Sequence, residues 1–192
     1  MNIEGSIDNM DNKKLAIEIA KGLIETGIEG GYGNVCCSTA GDYPSVGVSS
    51  WEGNRADILL SYIDGGDKFA GRTYSDLEES GEIEELSELL DSEQGQEAQL
   101  MILSDDTEMY VEAVKEAGLT DEQCIVYAGM WCPTSHYVVS SFIESRDIDV
   151  NNIDSLHEEF RENYADYADC SEYAEGYANR ADNTYEYVTN NM

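Results

Sequence analysis

Residues 29–33 read EGGYG, a glutamate set directly against two glycines and a tyrosine, and the texture of the chain changes there. Before it, Leu15, Ile19 and Leu23, and then Ile24 and Ile28, recur at spacings of four. That stripe predicts an amphipathic helix over residues 13–29. Gly30 and Gly31 are expected to stop it, because glycine takes the left-handed conformation at a helix C-terminus. After it, from Tyr32 to Trp51, Gly, Ser, Thr and Pro with the short alternation VGV predict a loop or small hairpin. Glu29 in this place is either the last solvated residue of a helix or a carboxyl group held at the lip of a cleft.

Working outward, helical periodicity returns at NRADILLSYI, residues 54–63, and barely stops afterwards. Further helices are expected over residues 76–90, 93–103, 106–117, 121–131, 134–144, 155–165 and 169–189. Several have start and stop signals. Asp105 or Asp106 can cap the helix that Gly118 ends, Thr120 with Gln123 forms one capping box, and Ser155 with Glu158 forms another. The row Phe160, Tyr164, Tyr167, Cys170, Ala174, Tyr177, Ala181, Tyr185 and Val188 reads as a packing face, with a ring-stacking strip as the alternative. With two prolines and no low-complexity linker, the expectation is one domain over residues 1–192, residues 1–12 being a flexible N-terminal segment. The fold class is mainly α, with a small β-hairpin or irregular loop region near residues 30–51.

Charge narrows the function classes. There are 41 acidic against 10 basic residues, a formal net of −31. Nucleic acid and anionic membranes both require Lys and Arg to neutralise phosphate, so neither is an expected partner. No run of apolar residues is long enough to span a bilayer. The N-terminus lacks the cationic start and apolar run of a signal peptide, so synthesis in the cytoplasm is expected. The acidity fits solvated helix faces, an imitation of DNA, or attraction of cationic substrates.

Cys36, Cys37, Cys124, Cys132 and Cys170 form no CxxC pair, and without a signal peptide reduced, mostly buried thiols are the default. Cys132 and His136 are four apart, but zinc needs two more ligands, for which only His157 and the scattered thiols are candidates, and no third orienting group for a nucleophilic pair is suggested. Residues 147–158, DIDVNNIDSLHE, place Asp147, Asp149, Asn151 and Glu158 where a calcium loop wants ligands. Asn152 stands where that loop needs Gly and Asp154 where it needs an apolar residue, so a helix cap explains the same letters more simply. No metal or cofactor is expected.

Glycoside hydrolysis uses two carboxyl groups in unlike environments, one kept protonated for the leaving oxygen. Glu29, after Ile28 and near Tyr32, suits the protonated role, since apolar neighbours raise a carboxyl pKa. Asp42, in a polar loop, suits the ionised one, and Trp51 offers a flat apolar face for a sugar ring. Asp57 and Asp64, on or beyond the next helix, are set aside.

The pattern EGGYG…D…SVGVSSWEGNRADILLSYI resembles a lysozyme-like family of phage and bacterial peptidoglycan hydrolases. Members carry a first helix ending in Glu-Gly-x-Tyr, then an Asp, then a Ser-x-Gly…Gln-Trp segment and an Asn-Arg-Ala helix. YVEAVKEAGLTDEQCIVYAGMW, IDSLHEEF and NRADNTYEYV resemble the helical second half, so the likeness runs loosely from about residue 13 to the end. Chitosanases share the same plan of a Glu ending a helix and an Asp in the following β-loop. The resemblance implies a lysozyme-like helical domain that cuts the glycan strand of peptidoglycan and reaches the wall after release from the cell. It makes Glu29 the general acid and Asp42 the base or charge stabiliser, with Tyr32, Ser45, Gly47, Trp51, Asn54 and Arg55 shaping the cleft. Arg55 can instead serve as a structural ion-pair partner, and Trp51 as a core residue with its indole nitrogen satisfied. Two departures stand out: Ser50 replaces the Gln before the Trp, and CCSTAGDY replaces an Asn-rich approach to the Asp. Asp42 is therefore matched less securely than Glu29. A chitosanase-like hydrolase and a non-enzymatic acidic DNA mimic or interaction protein remain as alternatives.

Overall fold

The computed structural model describes residues 3–28 and 30–192, with side chains from residue 11 onward. The chain is mainly α-helical and carries a small two-stranded antiparallel sheet, as expected from its sequence. It divides into two compact units, Gly27–Leu103 and a second formed by Met1–Thr26 with Ser104–Met192.

In the unit Gly27–Leu103, β1 (Val35–Cys37) pairs with β2 (Pro44–Val46), with Val35 opposite Val46 and Cys36 opposite Ser45. Pro44, which lacks an N–H for the ladder, takes the first position of its strand, where that loss costs least. Then come α2 (Gly53–Ser61), α3 (Tyr74–Ser80), α4 (Ile83–Asp91) and the first part of α5 (Glu93–Glu116). Val46, Val48, Trp51, Leu59, Leu60, Phe69, Leu77, Leu86 and Leu90 form the core. Burying each such large side chain contributes about 1.5–3 kcal/mol before chain entropy is charged against it.

The helix expected over 76–90 is two helices. Thr73 caps α3 through a reciprocal bond with Asp76, and the chain breaks where Gly81 N–H donates to Glu78 O and Glu82 N–H to Leu77 O. Arg72 holds the break, its Nη1 donating to Glu82 Oε2 at 2.5 Å and its Nη2 to Ser80 Oγ at 3.1 Å. The Ser80 hydroxyl and the Arg72 guanidinium together hold the Glu82 carboxyl below its ordinary range.

The other unit holds α1 (Ile3–Glu25), the rest of α5, α6 (Glu122–Gly129), α7 (His136–Glu144), α8 (Ile153–Tyr167) and α9 (Ala174–Asn191). α1 packs on α6 at Gly129, where an added Cβ would come 2.3 Å from Ile19 Cδ1. Trp131, fully buried, centres an aromatic core, with ring centroids 4.8 Å from Tyr164 and 4.9 Å from Phe160. Tyr177 stacks on the same indole at 6.0 Å, so this part of the tyrosine row packs inward. Arg180 covers the indole at 4.8 Å and donates to Met130 O at 2.7 Å.

Boundaries differ from expectation for physical reasons. α1 ends at Glu25, not at residue 29: Thr26 turns both its N–H and its hydroxyl to Gly22 O, and Gly27 takes φ +69°. α5 runs unbroken through Asp105 and Asp106, because Thr107 is fully buried and donates to Ala16 O, a stronger local demand than a cap. Asp121 caps α6 in place of Thr120, and Asn152 caps α8 in place of Ser155.

Candidate functional site

Glu29 lies outside the described residues. The other seven sequence-selected positions belong to the unit Gly27–Leu103, and the structure sorts them into two groups.

One group builds the loop after β2. Gly47 sits at φ +71°, with Ser50 N–H returning to its carbonyl, and the backbones of Val46 and Trp51 bond each other in both directions at 2.9 Å. Gly30 N–H donates to Val48 O at 2.6 Å and Gly47 N–H to Asn34 O at 2.8 Å, so segments before and after the hairpin share one frame. Gln99, fully buried on α5, completes it. Its Oε1 accepts from Val48 N–H at 2.9 Å, and its Nε2 donates to Leu90 O at 2.8 Å and Tyr32 O at 3.3 Å. A Cβ at Gly47 would fall 2.4 Å from that Oε1, so the close approach requires glycine.

Within this frame Trp51 is only 6% exposed. It packs the hairpin and presents no open face to a sugar, which matches the core alternative for it. Ser45 is buried as well, its hydroxyl donating to Glu52 Oε1 at 2.7 Å. Tyr32 is half-buried, and burial pushes its phenol pKa above the usual value. Arg55 Nη2 donates to Ile102 O at 3.1 Å. Asn54 is exposed in the first turn of α2.

The other group centres on Asp42. Its Oδ1 accepts the N–H and the hydroxyl of Ser75, each at 3.0 Å, at the start of α3. Asp42 lines a cavity of about 230 Å³ whose apolar walls include Tyr43, Pro44, Leu60 and Phe69, with Arg72 also contributing. Asp57 lines the same cavity, its Oδ1 accepting Gly71 N–H at 2.8 Å. α2, the helix on which the sequence places Asp57, carries it back beside the hairpin.

No family model, curated protein or solved structure matches this chain.

The arrangement offers two carboxylates on one small, largely apolar cavity, one of them aimed by two donors. Gln99, Ser75 and Glu52 escape the sequence reading, since each acts through partners distant in the chain or belongs to a run of ordinary helix letters. Asp57 alone had a signal, its place on the helix that follows the hairpin.

Thiols and metals add little here. Cys36 and Cys37 are exposed on β1, against the expectation of burial. Cys124 and Cys132 are buried, and burial pushes both thiols up to about 12, which leaves them protonated. Among the described residues no group of three or more His, Cys, Asp or Glu side chains could hold a metal ion. Asn151, a ligand position of the calcium-like pattern, instead accepts the N–H groups of Thr120 and Asp121 at 2.6 and 3.0 Å. No helix among the described residues is long and apolar enough to cross a membrane.

Proposed function

We propose that the protein is a glycoside hydrolase of the lysozyme-like kind, cutting between sugars in the glycan strand of peptidoglycan. The observation that carries the reading is Asp42: a loop carboxylate fixed by two hydrogen bonds beside an apolar cavity. A group that must stay ionised and correctly aimed while positive charge develops on a sugar has those needs. Asp42 acts as base or charge stabiliser. Glu29 acts as the general acid, a role resting on the sequence likeness, and protonates the leaving glycosidic oxygen. The cavity walls of Tyr43, Pro44 and Phe69 take an apolar face of the sugar chain. Synthesis in the cytoplasm and action on the wall after release complete the proposal.

One observation supports a second reading. Asp57 adds a second carboxylate to the cavity, which suits a cationic polysaccharide such as chitosan. The test covers both: release of reducing ends from purified peptidoglycan and from chitosan by wild type and by Glu29→Gln. Activity on peptidoglycan that falls ~10²–10⁴-fold in the variant supports the proposal. Activity on chitosan alone selects the second reading. No release from either polymer by the wild-type protein removes both.

A further inference from the structure

Asp42 is aimed by Ser75, and Ser75 is only as well placed as the helix that carries it. α3 spans seven residues, Tyr74–Ser80, well short of the ~12–15 at which an isolated helix becomes even marginally stable. Its position therefore depends on what grips it from outside. The Thr73–Asp76 box is local to its first turn. Burial of Leu77 attracts one face to the core, but that attraction is non-directional.

Arg72 supplies the directional grip. It precedes the Thr73 cap and lines the same cavity as Asp42. Its Nη2 donates to Asp76 O at 3.0 Å, in the first turn, and to Ser80 Oγ at 3.1 Å, the last residue. Its Nη1 reaches past the helix to Glu82 Oε2 at 2.5 Å. One guanidinium thus holds both ends of α3. The backbone beneath it is fixed in turn: Gly71 N–H donates to Asp57 Oδ1 at 2.8 Å and Arg72 N–H to Phe69 O at 3.3 Å. Bonds run from α2 through Arg72 to the first turn of α3, and from Ser75 in that turn to Asp42.

We propose, on the reading of Asp42 given above, that Arg72 is the positioning residue of this site: by gripping both ends of α3 it sets the place from which Ser75 aims the carboxylate. The fan of acceptors accounts for the arginine. Two nitrogens of one rigid plane serve Glu82 on one side and Asp76 with Ser80 on the other, which the single ammonium of lysine cannot copy. Glu82 orients the guanidinium, and the Ser80 hydroxyl, 2.6 Å from the same Glu82 oxygen, closes the triangle.

Arg72→Lys and Glu82→Gln test this through two readouts. Hydrogen exchange at the Ser75 amide needs no substrate. It should quicken about tenfold in Arg72→Lys, and less in Glu82→Gln, with the amides of α5 unchanged. On purified peptidoglycan, kcat should fall ~10–10²-fold in Arg72→Lys with KM little changed. In an Asp42→Asn background the same substitution should lower kcat no further, because its effect runs through Asp42. Glu82→Gln, a change of nearly the same shape, carries both readouts if Arg72→Lys does not fold. A lower melting temperature with Ser75 exchange and kcat unchanged would make Arg72 merely structural and overturn the proposal. A kcat loss undiminished in Asp42→Asn also overturns it. If the wild-type protein releases no reducing ends, the hydrolase reading falls by itself; faster Ser75 exchange then still upholds the grip of Arg72 on α3, and unchanged exchange overturns it.

Discussion

Asp42 and Ser75 lie 33 residues apart, yet Asp42 Oδ1 accepts both the N–H and the hydroxyl of Ser75 at 3.0 Å. The hairpin delivers the carboxylate, and the first turn of α3 supplies two donors and the positive end of a helix to hold it. Ser75 touches no reacting atom in this account; it positions one that does.

Ser75→Ala keeps the N–H donor and removes the hydroxyl. One lost hydrogen bond to an exposed carboxylate is worth about 1 kcal/mol, so kcat should fall roughly fivefold with KM little changed. Ser75→Thr, which retains the hydroxyl, should restore the rate. Steady-state kinetics of the three proteins checks this, and a KM effect without a kcat effect would argue for a purely structural serine.

Gln99 ties three backbone groups of three segments from inside the core. Gln99→Ala leaves the Val48 N–H and the Leu90 and Tyr32 carbonyls short of partners, at a cost of about 3 kcal/mol. In a chain of this size the melting temperature should drop by about 6–12 °C. Gln99→Glu should be no better, because a buried carboxylate has nothing to donate to two carbonyls.

Gly47→Ala meets two obstacles, a left-handed φ of +71° and Gln99 Oε1 at 2.4 Å from the new Cβ. The backbone strain costs about 1–2 kcal/mol and the clash adds to it. Because the clash is with Gln99, the penalty should shrink in a Gln99→Ala background, leaving the backbone cost. A double-mutant cycle of denaturant midpoints measures that coupling.

His157 makes stability depend on pH. Desolvation lowers its pKa below the ordinary value, outweighing the pull of Asp182, whose Oδ1 lies 3.4 Å from Nε2. The folded state therefore holds the proton less tightly than the unfolded chain, and the unfolded chain takes it up as pH falls through ~6.5. Stability from this residue is full above that pH and is lost below it, levelling off once the folded form also protonates. His157→Asn should flatten the melting temperature between about pH 7 and pH 5 relative to wild type. Parallel curves for the two proteins would remove His157 as the cause.

Much of the helical layout was legible, because stripes such as Leu15, Ile19 and Leu23 on α1 leave no other packing for those residues. The ends were less so. Asp105 and Asp106 look like a cap, but α5 is continuous through them, and the next residue, the buried Thr107, bonds to a residue 91 positions away. The loop of residues 32–51 shows its irregularity in its glycines and serines, among them Gly47, where the backbone requires glycine. Its reason was not readable, since it depends on Gln99, an unremarkable letter in a polar helical run. The same holds for Trp51: an aromatic beside a candidate cleft can face sugar or core, and only the Val46–Trp51 pairing turns it inward. Asp42 could be named from the loop; Ser75 and Asp57, which define its surroundings, required the fold.

The most direct measurement is turnover of purified peptidoglycan, read as reducing ends, by wild type and Asp42→Asn with melting temperatures recorded alongside. The exposed carboxylate supports only the start of α3, so the variant should melt within a few degrees of wild type. The account predicts a loss of ~10²–10⁴-fold in rate. Full activity in Asp42→Asn, or no reducing ends from the wild-type protein, would contradict it.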